Sequence, residues 1–120
     1  MPREKKDDSN LWDMIDAAKA IKAFVSGRSL HDYLNDRMLR GAVERHLEII
    51  GEAAGRISQE YRNAHPEIPW QKIIGLRNVL IHEYGDIEDI LVWEVASVNV
   101  RNLIGKLEGL IPTPPDDEEA

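Results

Sequence analysis

Apolar residues recur every three to four positions along most of the chain, which is the spacing of amphipathic α-helices. This pattern predicts four long helices and one short helical turn, at about residues 10–25, 36–61, 69–84 and 86–110 and directly after Ser29. Gly27 and Gly85 follow two of the predicted helix ends, where glycine is favoured because it tolerates a left-handed backbone. No segment alternates between apolar and polar residues as a half-buried strand would. The pattern therefore predicts an all-α fold, an antiparallel four-helix bundle with one short extra helical turn.

The length of the chain indicates a single domain. With 120 residues, two domains would each be too small to bury a useful core. Residues 1–9 mix charges of both signs, and residues 112–120 combine prolines with four consecutive acidic residues. We therefore assign residues 10–111 to one helical bundle and expect disordered ends on both sides of it.

Two glycines lie inside the second predicted helix, on a face that also carries two glutamates. Gly51 and Gly55 each cost a helix about 1 kcal/mol relative to alanine. We expect a backbone or a partner chain to approach closely there and to compensate for this cost. Glu48 and Glu52 could form a paired-carboxylate site, lie on an exposed face, or receive Arg77 from the same chain or from a partner.

The last predicted helix carries two apolar stripes, whereas packing into one bundle core needs only one. The stripes are Ile87, Leu91, Val95 and Val98 on one side, and Trp93, Val100, Ile104 and Leu107 on the other. The second stripe could cover the far end of the bundle or form a dimer surface. Together with the glycine face, it favours a homodimer.

Candidate chemistry lies on the third predicted helix, where Arg77 interrupts an apolar stripe. Burying a guanidinium without a partner is costly, so it must meet a carboxylate, a ligand or an open cleft. Asn78 and His82 are four residues apart and share a neighbouring face. Histidine can transfer a proton near neutral pH, and arginine can stabilise negative charge on a phosphate. These residue types suit RNA cleavage, but they also suit a structural ion pair beside a helix-ending histidine.

Composition limits the possible partners and cofactors. There is no cysteine and no apolar run long enough to span a bilayer, and the chain does not start with a signal-like segment. A cytoplasmic protein without membrane contact is expected. No zinc or other cofactor motif is present, and no metal is needed if the ribose 2′-hydroxyl is the nucleophile. The net charge of −7, from 15 basic and 22 acidic residues, argues against a general nucleic-acid binder. An RNA site must be a local cleft with a few arginines, and DNA is not expected as a substrate.

The segment from Arg77 to His82 resembles the Arg-x4-His motif of HEPN-domain ribonucleases. With Tyr84 added, it is similar to the Arg-x4-His-x-Tyr form found in the HepT toxin family. Similarity extends to the residues before and after the motif, namely 44–53 on the preceding helix, Pro69-Trp70 at the motif helix start and Gly85-Asp86 after it. About residues 10–110 are covered by the resemblance, with helix order and length in agreement.

This resemblance implies a HEPN-like bundle and a specific function. HepT-like proteins form dimers in which two motifs face one cleft, and they cut RNA without a metal. Their partner is a nucleotidyltransferase antitoxin of the MntA type, which transfers AMP to the motif tyrosine. The resemblance therefore implies that Arg77 and His82 are catalytic, that Asn78 positions them, and that Tyr84 is the AMP acceptor.

Two other functions stay open from the sequence. One is a non-catalytic helical binding module, or a modification substrate of a nucleotidyltransferase partner. The other is a structural helical dimer in which Arg77 forms an internal ion pair.

Overall fold

The computed structural model describes residues 3–82 and 88–110, and the side chains of residues 6–81 and 88–110 within them. The described part is all-helical. Its elements are α1 (Arg3–Val25), α2 (Leu30–Leu34), α3 (Arg37–Arg56), α4 (Gln59–Ala64), α5 (Trp70–His82), α6 (Asp89–Glu94), a π-helical turn (Val95–Asn99) and α7 (Val100–Glu108). Residues 89–108 form one continuous helix, because the backbone stays helical through the π turn. These elements confirm the predicted four-helix bundle.

The bundle is arranged around α3, which packs against both α1 and α5. The last helix completes the bundle by packing against α1 through its π turn and α7. All four long helices contribute to one core; among the fully buried side chains are Leu11, Met14, Ile21, Val43, Val92 and Leu107. Within the described residues, no helix has both the length and the apolar character that crossing a bilayer would require.

The N-terminal boundary of the first helix was predicted wrongly. Residues 1–9 were expected to be disordered, but α1 begins at Arg3 and ends at Val25 as predicted. Asp7 is buried, and its two carboxylate oxygens accept hydrogen bonds from the backbone N–H (2.8 Å) and the hydroxyl (2.7 Å) of Ser58. This long-range contact explains the extension, since it fixes the first turns of α1 against the end of α3. Residues 1–2 and 111–120 lie outside the described part, so the C-terminal expectation remains a prediction.

The second predicted helix is two helices in the structure. α3 starts after the N-cap Asp36 and ends at Arg56, and Ile57 has an extended backbone. Ser58 then caps α4 by accepting a hydrogen bond from the N–H of Tyr61 at 3.1 Å. The apolar spacing does not indicate this break, because Ile57 is buried and Tyr61 packs on the same core, as both would in one continuous helix.

The second apolar stripe of the last helix enters the core, whereas the first lies partly outside it. Val100, Ile104 and Leu107 are buried, but Leu91 and Val98 are each 53% exposed. The expectation that the second stripe could form a dimer surface is therefore wrong, since the exposed residues belong to the first stripe. The predicted start of this helix at residue 86 lies outside the described residues.

The short turn before α3 forms as predicted. Ser29 and Asp32 make a capping box at the start of α2, in which each side chain accepts a hydrogen bond from the other residue's backbone N–H. Gly27 has a φ of 73° and ends α1, because a left-handed backbone is accessible to glycine without a steric penalty.

Candidate functional site

The candidate site is built on a close contact between α3 and α5. A Cβ atom at Gly51 would overlap the Cβ of Arg77, and it would lie 2.7 Å from the Arg77 Cγ and 3.2 Å from the carbonyl oxygen of Ile73. Only glycine leaves room for Arg77 at this crossing. The close approach predicted for the glycine face is thus present at Gly51, and the neighbour is another helix of the same chain. Gly55 has open space around its Cα.

Arg77 is half-buried: its stem lies against α3, and its head reaches the surface. The Nη1 group donates a hydrogen bond to the Oδ1 of the exposed Asn78 at 3.2 Å. The Nε atom is buried and has no hydrogen-bond partner among the described residues. The side chain of Asn78 is therefore in direct contact with the guanidinium.

Glu48 and Glu52 do not bind Arg77 in this chain. Both carboxylates accept hydrogen bonds from Nη1 of Arg45, at 3.3 Å and 3.2 Å. Within the described residues Arg77 takes part in no ion pair. The hypothesis of a structural ion pair within the chain is not supported by these contacts. Among the described residues, no carboxylate pairs with the guanidinium.

The other two motif residues lie at or beyond the end of α5. His82 is the last residue of this helix, and its side chain lies outside the described part, as does all of Tyr84. Along an α-helix, five residues give a rise of about 7.5 Å and a rotation of about 140°. The backbone therefore places His82 beyond Arg77 on a different side of α5.

Sequence reasoning missed the contacts that hold the helix following the motif. Arg40 donates hydrogen bonds from Nη1 to the carbonyl oxygens of Tyr33 (3.2 Å) and Leu34 (2.7 Å), while its Nε lies 3.9 Å from Asp89. The Tyr33 ring also packs on Trp93 at a centroid distance of 5.4 Å. These contacts anchor the start of α6, only a few residues after the motif.

Two ionisable groups in and beside these contacts have shifted pKa values. Burial, together with the nearby negative charge of Asp89, raises the pKa of the Glu44 carboxyl. Burial also raises the pKa of the Tyr33 phenol, with smaller contributions from Glu44 and Asp89. The Tyr33 hydroxyl is buried without a partner among the described residues. Acidic groups beside a buried phenol do not form an anion site, so we do not include this cluster in the candidate site.

His46 is a packing residue. Its ring meets Phe24 edge to face at 4.9 Å, and Nδ1 lies 2.8 Å from the Ala42 carbonyl oxygen. This contact defines Nδ1 as the protonated nitrogen, because a carbonyl can only accept a hydrogen bond.

The helical bundle and its Arg-x4-His helix define the class of HEPN-type domains. Within that class, the chain belongs to the HepT-like ribonuclease family, whose family model matches residues 14–110.

Relatives of similar length support this assignment. A protein from Methanocaldococcus jannaschii named as an RNase is 37% identical over 98 residues, covering 82% of this chain and 90% of the relative. A protein from Thermococcus cleftensis named as a ribonuclease HepT is 36% identical and covers 92% of this chain and 98% of its own length. A protein from Caldanaerobacter subterraneus named as an RNase is 43% identical over 66% of this chain and 70% of the relative. No solved structure gives a significant match.

Replacing Gly51 tests whether the glycine positions Arg77. We expect Gly51→Ala to displace Arg77 and to lower the free energy of unfolding by about 1–3 kcal/mol, because the new methyl group has no space at the helix crossing. Urea denaturation followed by circular dichroism measures the loss, and RNA cleavage should fall by about tenfold or more.

Gly41→Ala is the matched control on the same helix. Gly41 is exposed and a Cβ there meets nothing within 4 Å, so this variant should be stabilised by up to about 1 kcal/mol. Equal behaviour of the two variants would contradict a positioning role for Gly51.

Proposed function

We propose that this chain is a metal-independent endoribonuclease in which Arg77 and His82 are catalytic and Asn78 positions the arginine. One observation carries the proposal: the Arg77 head reaches the surface, is bonded to Asn78, and forms no ion pair among the described residues. Membership of the HepT-like ribonuclease family and the names of the relatives support an RNA-cleaving activity.

The reaction is an internal transfer of the phosphodiester. The ribose 2′-oxygen attacks phosphorus and loses its proton to an imidazole, a P–O bond forms, and the bond to the 5′-oxygen breaks. The leaving 5′-oxygen takes up a proton, so the products are a cyclic phosphate and a 5′-hydroxyl. Arg77 stabilises the negative charge that develops on the phosphoryl oxygens. His82 supplies the proton transfer, because its ordinary pKa lies near neutrality.

Removing either catalytic side chain tests the chemistry. Arg77→Ala and His82→Ala should each reduce cleavage of RNA by about 100-fold or more, the scale of a lost acid–base or charge-stabilising group. Cleavage by the unaltered protein should persist after exhaustive EDTA treatment. The measurement is the appearance of cyclic-phosphate ends on purified RNA.

His31→Ala is the control, since His31 is an exposed histidine on α2, and its activity should match that of the unaltered protein. Full activity in purified His82→Ala would contradict the catalytic assignment, and loss of cleavage in EDTA would contradict metal independence.

A homodimer is part of the proposal, with a second copy covering the exposed stripe of the last helix. Leu91 and Val98 are exposed on this helix, and Ile90 beside them is 58% exposed. They adjoin an apolar cleft of about 240 Å³ between α3, α5 and the last helix, to which Leu91 and Val95 contribute. Covering this surface would bury apolar area and could bring two motifs to one cleft.

Charged substitutions on the stripe test the dimer. Leu91→Asp and Val98→Asp should convert a dimer into monomers, because a carboxylate is costly to bury in an apolar interface. Sedimentation or light scattering measures the mass, and RNA cleavage should fall together with it. Met38→Asp is the control, since Met38 is an equally apolar residue that is 86% exposed on α3. Dimers in all three variants would contradict this surface.

We further propose that the protein is a cytoplasmic toxin neutralised by a nucleotidyltransferase antitoxin that modifies Tyr84. In the transfer, the Tyr84 oxygen attacks the α-phosphate of ATP, pyrophosphate leaves and the phenol proton is lost to solvent. Tyr84 lies two residues after His82 in the sequence. An adenylate there adds a negative charge and bulk beside the catalytic pair, which opposes RNA binding.

Co-expression with a nucleotidyltransferase encoded beside this protein tests the modification. Mass spectrometry should find AMP on Tyr84, and Tyr84→Phe should lose the added mass and escape neutralisation. Tyr61→Phe is the control and should still be modified and neutralised. Adenylate on Tyr84 in a protein whose unmodified form cuts no RNA would instead favour the non-catalytic binding module.

A further inference from the structure

A groove lies between α4 and the first turn of α5. Besides Trp70 and other apolar residues, its walls include two cations and three amide side chains, namely Arg62, Lys72, Gln59, Asn63 and Gln71. No carboxylate lines it among the described residues. A groove of this composition is conspicuous in a chain of net charge −7.

Arg62 is fixed at the groove by backbone contacts. Its Nε donates to the carbonyl oxygen of Ile57 at 3.1 Å and its Nη2 to that of Gly55 at 2.9 Å. A guanidinium has five N–H donors, so these two bonds leave three for another ligand. Within the described part of the chain, neither Arg62 nor Lys72 takes part in an ion pair.

Arg62 and Arg77 contact α3 one helical turn apart. Arg77 packs on Gly51, and Arg62 binds the carbonyl oxygen of Gly55. Four residues of an α-helix span about 6 Å, so the two guanidinium-bearing side chains follow one another along α3. Lys72 lines the same groove as Arg62, from the first turn of α5, and it lies about 140° around this helix from Arg77, five residues later.

Three carboxylates, on α3 and between α4 and α5, are held by other partners. Glu67 lies in the connection between α4 and α5, where its Oε2 is 3.3 Å from Nδ1 of His65. Glu48 and Glu52, which flank Gly51 in the sequence, are paired with Arg45. The groove therefore keeps positive charge that these acids do not neutralise.

We propose that this groove binds the RNA strand next to the scissile phosphate, with Arg62 and Lys72 contacting its phosphates. The inference rests on the proposed endoribonuclease function and deepens it by assigning a substrate-binding surface. Because Arg62 contacts α3 one helical turn from the Arg77 contact and shares the groove with Lys72, a strand that presents one phosphate to Arg77 can extend toward these two cations. The amides of Asn63 and Gln71 are suited to hydrogen bonds with ribose or base. A local basic groove also explains how an acidic protein can engage RNA.

Binding of uncleavable RNA tests the groove separately from catalysis. The probe is a fluorescent single-stranded oligonucleotide with 2′-O-methyl ribose throughout, which lacks the nucleophile, and the protein is the full chain. Lys72→Gln should weaken binding by about fivefold and Arg62→Gln by at least as much at low salt. The slope of log affinity against log salt concentration should become less negative by about 0.7 for each phosphate contact that is lost.

Lys22→Gln is the matched control, since Lys22 is an exposed lysine near the end of α1 and does not line the groove. It should leave both affinity and salt slope unchanged. Because Arg62 also bonds to the backbone, circular dichroism and light scattering establish that each variant keeps its fold and mass. If Arg62→Gln unfolds, the RNA affinity of Lys72→Gln decides the test.

The outcomes separate this inference from the proposed function. If the unaltered protein cuts RNA but Lys72→Gln binds the probe as tightly as Lys22→Gln, the groove is not the RNA surface and the function stands. If the unaltered protein neither binds nor cuts RNA, the function itself is wrong. Normal RNA binding by Lys72→Gln with a loss of affinity for an acidic protein partner would also overturn the inference.

Discussion

The candidate site depends on the contact between Gly51 and Arg77. The aliphatic part of the Arg77 side chain occupies a position within an apolar stripe. Because this part packs against glycine, the guanidinium lies at the surface. Long basic side chains commonly divide in this way between an apolar stem and a hydrated head. A larger residue at position 51 would separate α3 from α5 or expel Arg77, so packing and chemistry are coupled at one helix crossing.

The charges near the candidate site bear more directly on anion binding than the net charge of the protein does. The chain carries seven more acidic than basic groups, but the acids near the site are already engaged, with Glu48 and Glu52 bound to Arg45 and Glu67 close to His65. Such exposed pairs contribute little to stability. Within the part of the chain that the structure describes, neither Arg77 nor Arg62 takes part in an ion pair. The proposed binding of RNA at one groove is compatible with repulsion of nucleic acid elsewhere.

Helical periodicity was sufficient to predict the four-helix bundle, and the position of Arg77 inside an apolar stripe indicated that this guanidinium must meet a carboxylate, a ligand or an open cleft. The contact at Gly51 followed from the cost of glycine within a helix. The early start of α1 and the break at Ser58 could not be predicted, because they depend on one contact between Asp7 and Ser58 that joins distant parts of the chain. The groove at Arg62 was missed for the same reason, since it forms only after α4 separates from α3.

The π turn explains how one helix can carry both a buried stripe and an exposed one. Val92, Ala96 and Val100 are spaced by four residues and all are buried. In a regular α-helix, eight residues rotate about 80° beyond two full turns, so the last of the three would turn away from the first. A wider turn at Val95–Asn99 reduces this rotation and keeps all three in the core. Leu91 and Val98 then remain together on the outside, as a surface that one bundle does not need for its own packing.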